Sequence, residues 1–220
     1  ASLPPLAATV RRNYVYFTSL LQEPEAKWKR VCDTRGVTVT QLDSIDPTLV
    51  VYRAEATFVG LSVWDLFSTL SSPSLAKLWC PSMQGADLLQ DLGGQSSVWH
   101  TRYAPSWPVM ARDATLVQTS YKSPSSIHVF SFSADEHLVE PLALPAPTSS
   151  TIRMHVDLYG WSIEALSPTT VHVTLIEQSD PRGWLSKTRV PLQMITAMAG
   201  AGDYAPVSYT HLTLPTKRIV

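Results

Sequence analysis

Charge is scarce in this chain. Asp, Glu, Lys and Arg make up 16% of its 220 residues, against about 25% in ordinary globular domains. With 45% hydrophobic residues, many apolar side chains must fill a thick core, line a cavity or face a partner. The formal net charge is -1. No long Lys/Arg run is present and Arg11-Arg12 is too short for a basic patch, which argues against a nucleic-acid partner. Cysteine is nearly missing too. Cys32 and Cys80 are the only 2, which is no disulfide framework and points to a reducing compartment. No window holds the ~18 consecutive apolar residues of a membrane span. No signal peptide is visible, although the chain starts at Ala1 rather than Met. The length suits one domain with room for a core or an enclosed cavity.

What is present is periodicity. From Arg11 to Val31 the spacing is helical, with a break expected at Glu23-Pro24. "GVTVTQLD" and "TLVVYRAEATF" alternate apolar and polar residues and predict two strands. Leu61, Trp64, Leu66-Phe67 and Leu70 recur at helical spacing after a candidate cap, Ser62. Pro73 restarts a short helix. "GADLLQDL" turns through Gly93-Gly94 into "SSVWHTRYA", a hairpin signal. Four further strand-like runs follow, among them "TIRMHVDLYGWSIEAL". Strict alternation in that run puts Ile152, Met154, Val156 and Leu158 on one face. Near the end, Val190, Met194 and Met198 form an i, i+4, i+8 stripe around the helix-starting Pro191. The predicted order is helix, two or three strands, two short helices, about six antiparallel strands and one helix. A long sheet bracketed by helices can curl around the last one and leave a hollow.

A hollow needs a door, and "RYAPSWPVMARD" supplies a candidate. Loops are normally polar, yet this one is apolar, stiffened by Pro105 and Pro108 and tipped by Trp107. In this order and spacing the chain resembles the START lipid-transfer domains. The likeness rests on "VVYRAEATF", Trp79, "WHTRYAPSWPVMARD", "IRMHVDLYGWSIE" and "VTLIEQSDPRGWLSK". It spans roughly Trp28 to Tyr204. The resemblance implies an α+β helix-grip fold, a curved antiparallel sheet wrapped around a C-terminal helix with an internal hydrophobic cavity. It implies a flexible lid before the Arg112-Asp113 pair, and a "DPxG" stretch from Asp180 to Gly183 before the closing helix. Cys80 departs from the pattern, because many members carry an acidic residue there. On this basis residues 1–27 read as an N-terminal helical segment and 28–206 as the lipid-binding domain. Residues 207–220 ("VSYTHLTLPT…") resemble the frame translation of a transposase sequencing adapter and are set aside from fold reasoning. The closing helix is then expected to be cut short and the chain less stable than a full domain.

The expected function is non-catalytic binding of one lipid and its transfer between membranes. The candidate ligand-binding residues are Arg102, Tyr103, Arg112, Met154, Val156, Leu158, Val190, Met194 and Met198. Trp107, Pro108, Val109 and Met110 are candidates for the gate. Arg102 or Arg112 would meet a head group, since a guanidinium fork suits phosphate or carboxylate. Asp113 reads as a structural anchor of the lid's return strand. Neighbouring strand residues face opposite ways, so Arg112 and Asp113 cannot both see the cavity. Asp87 and Glu177 sit inside apolar strands; either one, if turned inward, should pair with Arg102 or bind a ligand hydroxyl, because a lone buried charge is costly. Partners would be a sterol, phospholipid or sphingolipid and, transiently, a membrane surface, giving a cytoplasmic, peripherally membrane-associated protein. No cofactor is expected. The six histidines, including His100, His128, His155 and His172, lack metal-ligand spacing, and no G-x-S-x-G, G-x-G-x-x-G or P-loop pattern exists. Two alternatives stay open: a lipid-sensing module of a larger protein, and a helix-grip enzyme (cyclase or hydrolase) acting on a hydrophobic substrate.

Overall fold

The computed structural model describes residues 5–42, 50–105, 110–135, 137–139, 142–182 and 190–212, with side chains through Ala205 in the last stretch. Helix α1 (Pro5–Leu21) opens with a proline, whose missing N–H has no partner to lose at that position. It stops short of Glu23-Pro24, and Glu25–Lys27 form a single 3-10 turn. Helical character was expected to reach Val31. Instead Lys29–Thr34 form strand β1, paired with β2 (Val37–Leu42). The cause is local: Arg35 and Gly36 both take positive φ, 56° and 73°, and close a two-residue hairpin.

Strand β3 (Val51–Val59) leads to helix α2 (Val63–Leu70). Ser62 caps it reciprocally: Asp65 N donates to Ser62 Oγ at 3.3 Å, and Ser62 N donates to Asp65 Oδ2 at 2.8 Å. A 3-10 stretch at Pro73–Leu78 follows. Then come β4 (Met83–Gly93), β5 (Ser96–Tyr103), β6 (Ala111–Lys122), β7 (Ser126–Ser133), the short β8 (Thr151–Arg153), β9 (His155–Ser167) and β10 (Thr170–Asp180). The strands form one 10-stranded sheet in the order β1-β2-β3-β10-β9-β7-β6-β5-β4, with β8 joining β6 in parallel. Helix α3 (Val190–Leu212) closes the chain, packing on α2 and on β1 to β3.

Strand alternation gives the sheet two different faces. One carries α1: Phe17 and Leu20 pack with Val117, Phe130, Phe132, Leu158 and Ile176. Phe17 sits so low that a Cβ at Gly160 would lie 2.7 Å from its ring, so only glycine fits beneath it. The other face carries α2 and α3, with Val39, Ala54, Trp79, Trp161, Leu175, Met194 and Met198 in one cluster. Here too one glycine sets the spacing. A Cβ on Gly200 would come within 1.9 Å of the Trp79 carbonyl oxygen, and its absence lets α3 lie against the 3-10 stretch.

Candidate functional site: an internal cavity

On the α3 side the packing stops short of filling the fold. A cavity of about 730 Å³ lies between the sheet, the Pro73–Leu78 stretch and the first turns of α3. Native interiors seldom leave voids larger than a water, and at ~30 Å³ per water this one equals roughly two dozen. It falls within the size range of ligand sites. The walls are mainly apolar: Leu70, Trp79, Leu116, Val129, Val156, Trp161 and Met194 all face it.

Of the expected ligand-binding residues, Tyr103, Arg112, Met154, Val156, Val190 and Met194 line the cavity, as does Met110 from the expected gate. Trp107, Pro108 and Val109 lie outside the described residues. Three expectations need correction. Arg102 faces away from the cavity and pairs with Asp87 on the exposed side of the sheet. Alternation along β5 explains this, because Trp99, Thr101 and Tyr103 are the inward residues. Leu158 is fully buried but packs toward α1. Opposite it the β9–β10 register slips: Gln178 pairs with Leu158 and Ser179 with Val156, leaving Asp157 as a bulge. A bulge reverses the facing of all that follows, so Leu158 turns out and Tyr159 turns in. Met198 is also fully buried, yet it lies in the core packed beneath α3 rather than on the cavity wall. The stripe reaches the hollow only through Val190 and Met194.

Arg112 and Asp113 act as strand anchors on opposite faces. Arg112, 6% exposed, donates from Nε to the Pro181 carbonyl at 3.3 Å, from Nη1 to Met110 at 2.5 Å and from Nη2 to Arg182 at 3.0 Å. The Arg182 carbonyl follows a positive φ of 50°. One guanidinium thus ties the start of β6 to the "DPR" stretch after β10. Asp113, on the far face, accepts two bonds from Arg153, both 2.8 Å, and one contact from His100 Nε2 at 2.9 Å. Burial pushes the Asp113 carboxyl up, but the bonds from Arg153 and His100 outweigh it and hold it below the ordinary value.

Glu177 is the residue that pattern reading left undecided. It faces the cavity, in phase with the buried Val173 and Leu175 of the same strand. Burial pushes its carboxyl up to about 7, against the opposing hydrogen bond from Ser179, whose Oγ donates to Oε1 at 2.9 Å. Its charge also raises the nearby Tyr103, Tyr159 and Cys80. Burial is the larger cause for all three and takes Tyr103 to about 12. Trp79, Trp99, Thr101, Ser131 and Trp161 complete the wall. The period-two pattern could have found Glu177, since Val173, Leu175 and Glu177 share parity; what it lacked was knowledge of which parity faces the hollow.

The START domain family profile matches residues 13–197, most of the chain. The chain belongs to the START domain family. Its fold is that family's helix-grip arrangement. Human StAR-related lipid transfer protein 5 superposes with a TM-score of 0.77 at 19% identity, covering 92% of this chain and 99% of that one. Human STARD10 gives 0.76 at 18%, covering 91% and 83%. A STAR-related lipid transfer protein fragment from Xanthomonas axonopodis gives 0.66 at 17%, covering 82% and 99%. A comparison with the curated proteins finds no match. As a START domain the chain binds lipid at the level the family defines, and among its described residues no helix is long and apolar enough to cross a membrane.

Proposed function

We propose that this START domain holds one lipid molecule in its cavity without chemically altering it and carries that molecule between membranes. The observation that carries the reading is the cavity itself, about 730 Å³ with mainly apolar walls. Burying apolar surface at ~25 cal/mol per Å² offsets extraction from a bilayer only where the pocket encloses most of the ligand. Two features at the rim support membrane contact: Met110 and Leu192 line the cavity and are also 45% and 62% exposed. Absence of chemistry is supported by the wall. Glu177 is the one carboxyl among its described residues and no histidine accompanies it, whereas acid-base catalysis ordinarily needs convergent partners. The His100–Asp113 pair lies on the opposite face of the sheet from Arg112 and the cavity. The relatives' names as lipid transfer proteins agree with this reading.

The test has two stages. Organic extraction of the purified chain followed by mass spectrometry should recover one lipid class near one molecule per chain, with its mass unchanged. Donor vesicles holding that lipid in fluorescent form should then lose it to acceptor vesicles faster when the protein is added. Stoichiometric binding without accelerated exchange would leave a lipid sensor and exclude a carrier. A recovered product differing in mass from the lipid supplied would establish an enzyme.

A further inference from the structure

We propose that Glu177 sets the ligand preference of this cavity, and that its occupant is an uncharged lipid whose buried end is an alcohol. The inference rests on the lipid-binding reading above and adds the chemical class. Two observations converge on it. First, Glu177 accepts one bond, from Ser179 at 2.9 Å, and its second oxygen has no partner among the described residues. That oxygen is an acceptor waiting for a donor, and a hydroxyl proton meets the need.

Second, the wall gives an anion no counter-charge there. Arg112 is the one arginine or lysine among the described lining residues, and carbonyls of Met110, Pro181 and Arg182 already take bonds from all three of its nitrogens. Pro181 lies four residues along from Glu177, about 13 Å at the rise of a strand. A phosphate or carboxylate buried at Glu177 would face a like charge with no cation beside it. Raising of the Glu177 carboxyl by burial agrees with a site that takes neutral partners.

The probes are hexadecanol, its methyl ether and hexadecyl phosphate, each displacing a fluorescent apolar reporter from the purified chain. The alcohol should bind about tenfold more tightly than the ether, as one hydrogen bond of about 1.4 kcal/mol requires. The phosphate should bind more weakly than both. Glu177→Gln keeps an acceptor and should keep the alcohol preference. Glu177→Leu should bring the alcohol-to-ether ratio close to one while the ether binds as well as before, which shows that the cavity is intact. Equal alcohol and ether affinity in the unaltered chain, or a ratio unmoved by Glu177→Leu, would overturn this assignment alone. Failure of all three probes to displace the reporter would overturn the lipid-binding reading and this assignment with it.

Discussion

The two faces of the central sheet are made by the same strands and have opposite characters. Toward α1, alternate residues interlock: Phe17 meets Phe130 at 6.0 Å and His128 edge-on at 5.5 Å. Toward α3, the intervening residues of β5, β6, β7 and β10 include Thr101, Gln118, Ser131 and Glu177, and they stand around a hollow. Charges divide in the same way. Asp113, on the outward face, is satisfied by Arg153 and His100. Glu177, on the inward face, has only a serine. Polar groups inside this fold therefore do two kinds of work, and the cavity side holds both, since Arg112 there is fully paired. Where polar groups are paired they hold strands together, and where they are left open they await a ligand.

The difference has measurable consequences. Phe17→Ala should cost about 3–5 kcal/mol, because a large void opens in a filled layer. Leu116→Ala, on the cavity wall, should cost about 2 kcal/mol or less, since its neighbours already border empty space. Urea denaturation compares the two, and equal losses would mean that the cavity is not a true void. Asp113→Ala should cost about 3 kcal/mol at pH 7 by stranding Arg153. The folded carboxyl titrates below its unfolded value of 3.8, so Asp113 stabilises the fold above that pH. The penalty of the variant should shrink as pH falls through the folded value.

Gly200→Ala tests the seat of α3. Helix propensity alone would favour alanine by about 1 kcal/mol. The new Cβ would meet the Trp79 carbonyl, however, and overpacking at backbone should leave a net loss of about 2 kcal/mol in the same assay. Glu177→Gln should act in the opposite direction and raise Tm by roughly 2–4 °C. The folded carboxyl, near pH 7 against an unfolded 4.5, holds a proton that the unfolded chain releases. Stability is therefore lost as pH rises from 4.5 to 7. The gain in Tm should be full at pH 8 and absent below pH 4.5; a gain independent of pH would show that Glu177 is not enclosed.

Much of this was legible in the order of residues. The Ser62 cap, the run of antiparallel strands and the closing helix all follow from local spacing, and the turn expected at Gly93-Gly94 falls one residue later, at Gly94-Gln95. So does the rule that Arg112 and Asp113 must part company. The same spacing misled where long-range contacts intervene. Lys29–Thr34 is a different case, a local miss: the adjacent Arg35-Gly36 turn folds it back onto β2. Leu158 leaves the cavity because a bulge at Asp157 answers the register of β10, which lies elsewhere in the sequence. Arg102 is satisfied by Asp87 from a neighbouring strand, outside the hollow.

What the chain determined by itself was the alternation: which residues share a face, where turns must fall, and that apolar side chains far outnumber charges. What only the tertiary structure decided was which face is solid and which is hollow. A period of two separates neighbouring residues onto opposite sides but does not say what lies on either side. That depends on where α1 and α3 dock, and docking is settled by shape, by Phe17 over Gly160 and by Gly200 against Trp79. Glu177 is an ordinary exposed acid on one side of such a sheet. Turned to the other side, it is a half-buried acceptor at the wall of a lipid cavity.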